Sequence, residues 1–249
     1  MGSNNINGSI PSFIGNCNQL QDLSLSYNNF SGPIPPSFAN LSQLHSLLME
    51  SNNINGPIPS DIYRLSSLVY LSLSNNLLTG QVCQFKYNNT LSYVDLSHNK
   101  LSGTVPSSIF NEVDLVVLIL SSNEKLTGEI PSAVCNNFTG KIPKLVGKLK
   151  ALKQLNMSHN HLTGNIEPSI GNLTNLETLD LSSNNLTGRI PIQLATVTSL
   201  EVFRVSHNQL EGLIPTGPQF NTFDNSSYEG NTRLCGFPLQ KACNSGERQ

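Results

Sequence analysis

An α/β solenoid, wound as a right-handed superhelix with a parallel β-sheet on its concave face, is the fold predicted by the 249-residue sequence. Three observations predict it. An asparagine recurs at Asn4, Asn28, Asn52, Asn76, Asn99, Asn123, Asn136, Asn160, Asn184 and Asn208, in steps of 24, 24, 24, 23, 24, 13, 24, 24 and 24 residues. Leucines precede it in the pattern LxxLxLxxN, as in "LQDLSLSYNNFSGPIP", "LVYLSLSNNLLTGQV", "LSYVDLSHNKLSGTVP", "LKQLNMSHNHLTGNI" and "LETLDLSSNNLTGRIP". Glycine follows it after four residues and Ile-Pro, or a variant of it, two residues later, with both shifted by one behind Asn123. A fixed period of this size marks a stacked-coil architecture, here the leucine-rich repeat.

Each part of the repeat has a physical task. In LxxLxL the leucines point into a narrow core and the residues between them face solvent, the period-2 pattern of a half-exposed strand. Strands of successive coils then stack as a parallel ladder about 4.8 Å apart. The asparagine follows the strand, where its amide can satisfy turn backbone groups that no ladder reaches. Glycine at Gly32, Gly56, Gly80, Gly103, Gly128, Gly140, Gly164, Gly188 and Gly212 eases the next bend. Proline after isoleucine suits an extended outer segment with few ladder demands.

Composition excludes several functions. Charged residues make up 12% and the net charge is −2, so no basic face invites nucleic acid or anionic lipid. The longest apolar run, Leu115 to Leu120, is far short of a membrane span. Met1 to Ile10 lacks the basic and apolar regions of a secretory signal. The motifs GxSxG, HExxH and GxxxxGK[ST] do not occur, so neither an enzyme nor a cofactor is expected. Asp95 and His98, with His159 and His207, belong to the repeat's common "SHN" ending rather than to acid–base chemistry. Of five cysteines, Cys17 aligns with the core leucine Leu173 and is expected to be buried. Cys83 aligns with the proline of Ile-Pro and Cys135 with the glycine of "IGN", and neither position suggests a metal ligand.

One interval breaks the period. In "GEIPSAVCNNFTGKIP", residues 128–143, the post-strand element "NNFTGKIP" follows Cys135 at once, and no LxxLxL precedes it. With one inner strand missing, the hydrogen-bond ladder and the leucine core are expected to be interrupted between the coils of Asn123 and Asn160. That predicts two cooperative blocks, residues 1–130 and 144–243, joined by a weak segment around Ala133 to Lys141.

The LxxLxLxxNxLxGxIP form with a 24-residue period resembles the extracellular repeats of plant receptor-like kinases and receptor-like proteins. The closing stretch "VSHNQLEGLIPTGPQFNTFDNSSYEGNTRLCGFPLQKAC", residues 205–243, is similar to the end of receptor-like proteins of the tomato Cf and Verticillium-resistance type. The resemblance implies a plasma-membrane receptor with extracellular repeats, one membrane helix and a short tail. Such a receptor senses microbial or developmental ligands and signals through partner co-receptor kinases. Against that pattern the chain is expected to be truncated and internally deleted. Residues 1–135 are repeats without an N-terminal cap; 136–216 are the last four repeats, the first lacking its strand. Residues 217–249 are the C-terminal cap and the start of a juxtamembrane segment. Cys235 and Cys243 are expected to be joined over the last coil.

Recognition is expected on the exposed strand positions. These are mostly Ser, Asp and Asn, except on three neighbouring coils that carry Tyr70, Tyr93, Val117 and Ile119. Adjacent apolar positions on a soluble face mark contacts; the other reading is that Val117 and Ile119 were covered by material missing at the irregular interval. Tyr27 lies outside this stripe. Sequons occur at Asn7, Asn29, Asn40, Asn88, Asn137, Asn156, Asn172, Asn185 and Asn225. Asn40 and Asn172 fall on the outer side, where a glycan fits, whereas Asn156 lies on the strand face. The expected function is recognition of a peptide, protein or glycan ligand by the concave face. A secreted inhibitor of polygalacturonase is the alternative.

Overall fold

The computed structural model describes residues 4–85, 90–123, 125–126, 142 and 144–243. Coils take the name of their asparagine. Eight short strands form one parallel concave sheet: Asp22–Ser24, Ser46–Leu48, Tyr70–Ser72, Tyr93–Asp95, Val117–Ile119, Gln154–Asn156, Thr178–Asp180 and Val202–Arg204, each beside its neighbour in sequence. Their central residues Leu47, Leu71, Val94, Leu118, Leu155 and Leu179 are fully buried, as the alternation requires. These residues and the flanking leucines of each repeat belong to one continuous core.

The outer side is helical in a tighter form than α. Among the described residues seven outer segments are 3-10 helices of five residues, such as Pro36–Asn40 or Pro168–Asn172, and no α-helix occurs. So few residues separate the preceding bend from the next leucine that an α-helical nucleus would not be stable, whereas 3-10 turns are used in short pieces. Adjacent outer segments lie very close. A Cβ on Gly171 would meet the Gln193 side chain at 2.6 Å, so the glycine of "IGN" is a matter of space, not of φ.

The asparagines stitch the coils together. Asn184 Nδ2 donates to the carbonyls of Leu181 (3.1 Å) and Ser182 (3.1 Å) in its own coil and to Met157 (3.0 Å) in the preceding one. Its Oδ1 accepts from the Leu162 N–H at 3.0 Å. The same four bonds recur at Asn52, Asn76, Asn99, Asn123 and Asn208. The residue before each asparagine adopts the left-handed conformation: Tyr27, Ser51, Asn75, His98, Ser122, His159, Ser183 and His207 have φ of 52 to 57°. His98, His159 and His207 are therefore turn residues, and their shared motif is a backbone requirement.

At the irregular interval the structure departs from expectation. The ladder is not interrupted on the concave side: Val117 pairs with Gln154, Leu118 with Leu155 and Ile119 with Asn156, in the register of every other junction. Nor is the core broken, since Leu118, Leu120, Val146, Leu149, Leu152 and Leu155 are all buried in one cluster. Ile142 and the 3-10 helix Lys144–Lys148 close the Asn123 coil, and the chain enters the Asn160 coil directly. Asn160 Nδ2 donates to Leu120 O across 40 residues, where the equivalent bond from Asn123 to Leu96 spans 27. Asn123 and Asn160 are thus 13 residues further apart than one 24-residue step, while the strands before them pair as direct neighbours. The expected weak segment Ala133–Lys141, with Cys135 and Asn136, lies outside the described residues.

Beyond the asparagines, among the described residues, one run of lesser-ladder strands ends at Lys125–Leu126 and another begins at Thr163–Asn165. At this junction His161 N–H donates to Leu126 O at 3.0 Å, as Asn185 N–H does to Leu162 O at 2.8 Å. Two residues separate Asn123 from the core residue Leu126, where one separates Asn99 from Leu101, so the donor aimed at the next coil is out of step. Leu126 N–H donates to Asn123 O at 2.8 Å instead, and Asn160 Oδ1 is accordingly buried with no hydrogen-bond partner.

The C-terminal end adds a coil that the period did not predict. Asn231 repeats the stitch, donating to Val205 O and Tyr228 O and accepting from Leu210 N–H. Strand Arg233–Cys235 pairs with Gln209–Leu213. Tyr228 takes a core leucine position within a cluster of Phe203, Phe220 and Phe223, and burial pushes its phenol well above the ordinary range. Cys235 and Cys243 are bonded, with Cα atoms 5.1 Å apart. Cys17, expected to be buried, is exposed: no described coil precedes its own to cover that edge. Cys83 is half-buried against the core.

Two outcomes test this account. Asn184→Ala should cost about 3 kcal/mol, since it strands several buried backbone groups. Asn160→Ala should cost about 1 kcal/mol less, because its Oδ1 satisfies no donor; equal losses in urea unfolding would refute the missing bond at Asn160. Cys235→Ser with Cys243→Ser should cost about 2.5 kcal/mol from release of so short a loop, read as a lower denaturation midpoint.

Candidate functional site on the concave face

The strand register places the predicted stripe together. Tyr70 pairs with Tyr93 and Tyr93 with Val117, so the three side chains stand in one row across three coils. In the parallel row Ser72, Asp95 and Ile119 are neighbours. The Tyr70 and Tyr93 rings are 6.3 Å apart at 35°, a tilted stack. Tyr70 is 50% exposed, and Tyr93, Val117 and Ile119 are half-buried. Beyond Val117 and Ile119 the next strand supplies Gln154 and Asn156, so polar residues bound the stripe where the sequence suggested a missing cover.

The charges around the stripe were not anticipated. Glu50 follows the Ser46–Leu48 strand at a position that is serine at Ser26, Ser74, Ser97, Ser121, Ser158, Ser182 and Ser206. Its Oε2 is buried and has no hydrogen-bond partner. Asp95 Oδ1 accepts from the N–H (3.0 Å) and hydroxyl (2.6 Å) of Ser97. Burial first, and then the charges of Asp95 and Glu50, hold the Tyr93 phenol above its ordinary value. Tyr27, outside the stripe, is 56% exposed. The signal for both was present: each interrupts a column that other coils fill with small or polar turn residues.

Among the described residues no group of three His, Cys, Asp or Glu could hold a metal ion. No described helix is long and apolar enough to cross a membrane. A cleft of about 460 Å³ beside the cap is lined by Asn221 to Ser226, Phe237 and Pro238, far along the chain from the tyrosines and next to the sequon at Asn225. Asn29, Asn40, Asn172, Asn185 and Asn225 are exposed, as is Asn7, while Asn156 is half-buried and its Oδ1 is held by Ser158. Asn88 and Asn137 lie outside the described residues.

Comparison with known proteins agrees with this geometry. The Leucine Rich Repeat model matches residues 19–41, 90–111 and 199–221, and a two-copy Leucine Rich repeats model matches 150–195. A plant ice-binding protein of known structure is 32% identical, with a TM-score of 0.81 over 99% of this chain and 75% of its own. The PEPR1 chain solved with AtPEP1 is 31% identical, with a TM-score of 0.75 over 94% of this chain and 38% of its own. Receptor-like protein 9DC3 of Solanum pimpinellifolium is 53% identical over 32 residues, 13% of this chain and 4% of that protein. The chain therefore spans a small part of the curated relative and well under half of the receptor. By its repeat, its fold and these likenesses, it belongs to the leucine-rich-repeat proteins, with the repeat form of their plant members.

Proposed function

We propose that this chain is the extracellular ligand-recognition module of a plant receptor-like protein. On this reading it acts in defence or developmental signalling through partner receptor kinases, at the outer face of the plasma membrane. The observation that carries it is the in-register stripe of Tyr70, Tyr93, Val117 and Ile119 on an otherwise polar concave sheet. Large side chains held at the surface of a rigid sheet are preorganised, so a ligand meets them with little ordering cost. The likeness to a receptor solved with AtPEP1 supports a peptide as the ligand class. The exposed sequons Asn29, Asn40, Asn172, Asn185 and Asn225 would carry glycans away from that stripe.

Ice binding, the property named for one similar structure, fits less well. An ice lattice is periodic, and the row Asp22, Ser46, Tyr70, Tyr93, Val117, Gln154, Thr178 and Val202 keeps no single residue type at regular intervals along its length. Inhibition of a microbial polygalacturonase is the second reading, supported by the shared repeat length alone.

Fractions of secreted plant peptides passed over the protein should protect the strands Tyr70–Ser72, Tyr93–Asp95 and Val117–Ile119 from hydrogen exchange. Tyr70→Ala and Tyr93→Ala should each weaken the captured peptide by about 1 to 2 kcal/mol with the unfolding midpoint unchanged. A large fall in that midpoint would make the tyrosines packing residues. Inhibition of fungal polygalacturonase by the purified protein, retained in both variants, would favour the second reading instead.

A further inference from the structure

We propose that the Tyr70–Tyr93 surface, taken as the contact face on the reading above, receives a basic side chain, arginine or lysine, of a peptide ligand. The first support is an imbalance of pairing. Among the described residues the ion pairs are Lys153–Glu177 (2.7 Å), Arg204–Asp180 (3.8 Å) and Arg233–Glu211 (3.1 Å), all in the C-terminal half. Glu50 and Asp95, on the coils that carry or adjoin the stripe, have no such partner among the described residues.

The second support is an internal comparison. Asp180 and Asp95 occupy the same position of their repeats, and each gives Oδ1 to the serine two residues on. The neighbour of Asp180 in the next strand is Arg204, which lies against its other oxygen. The neighbour of Asp95 in the next strand is Ile119. The coil therefore leaves at Asp95 the place that a guanidinium fills at Asp180. Glu50 sharpens the contrast, because its Oε2 is both shut from solvent and unpartnered. A carboxylate oxygen in that state is costly alone and gains most from an incoming cation.

The aromatic residues suit the same guest. A guanidinium or ammonium lying on a tyrosine face is attracted by the ring quadrupole, and Tyr70 offers an exposed face beside a second ring. Val117 and Ile119, one coil further, would cover an apolar residue of the same peptide about 4.8 Å away. Anionic sugars such as uronates would instead meet Glu50 and Asp95 and be repelled.

The test uses random dodecapeptides displayed on phage, selected on the wild-type protein and counter-screened on Tyr70→Ala. Peptides that need Tyr70 should be rich in arginine or lysine beside an apolar residue. In a synthetic copy, replacing the basic residue by citrulline, neutral and close to arginine in shape, should weaken binding about tenfold. Glu50→Gln and Asp95→Asn should each weaken it about fivefold or more and reduce its salt dependence. Asp95→Asn is a mild change for the fold, since Asn156 makes the same bonds to Ser158 that Asp95 makes to Ser97. Tyr70-dependent peptides without basic enrichment, or tolerance of citrulline, would overturn the basic guest and leave the contact face standing. Binders indifferent to Tyr70→Ala, or no binders, would overturn both.

Discussion

The buried asparagine is the interaction on which the rest of the structure depends. A coil must turn its backbone after each strand inside a space too narrow for another ladder, and the turn's carbonyls would be stranded there. One amide answers for all of them: Asn184 serves two carbonyls of its own coil, one of the preceding coil and one N–H beyond. Because half of those bonds cross to the neighbouring coil, local satisfaction and coil stacking are a single event. Nearest-neighbour coupling of this kind is what makes a solenoid quasi-one-dimensional. It also explains why the preceding residue is left-handed in every coil, and why Ser, His and Asn dominate there.

The same coupling accounts for the irregular interval. Strand register is set by the leucine that enters the core and by the amide that locks the turn, and both are present at Leu118 with Asn123 and at Leu155 with Asn160. Length between those points is only weakly constrained, since loop-closure cost grows slowly with added residues. The sheet therefore closes over the surplus. Its cost falls on one amide oxygen, since the extra residue before Leu126 leaves Asn160 Oδ1 without a donor.

On the concave face the constraint is relaxed, and the departures from the repeat carry information. Positions outside the leucines and asparagines are free to vary, yet most remain Ser, Asp or Asn. Tyr70, Tyr93, Val117 and Ile119 depart from that background in adjacent strands, and Glu50 and Tyr27 depart from it in the turns beside them. Together they make a surface that is apolar on one side and acidic on the other. In the C-terminal half Glu177, Asp180 and Glu211 are each paired with a cation of the protein itself.

The repeat, the inward leucines, the stripe and the stitching asparagines were legible in the sequence because each is a local requirement that recurs at fixed spacing. Periodicity alone also identified which residues share a row. It could not show that the strands on either side of the irregular interval pair directly, since that depends on the packing of one coil against the next. The Asn231 coil was hidden for a related reason: Tyr228 and Phe223 stand where leucines were sought, and only the core around Phe203 and Phe220 makes them equivalent. Cys17 was misplaced because burial belongs to a stack of coils and not to a position in one. The unpartnered Glu50 oxygen is likewise a tertiary fact. Sequence shows that a glutamate replaces a serine, but whether it finds water, a cation or neither depends on the coils that close around it.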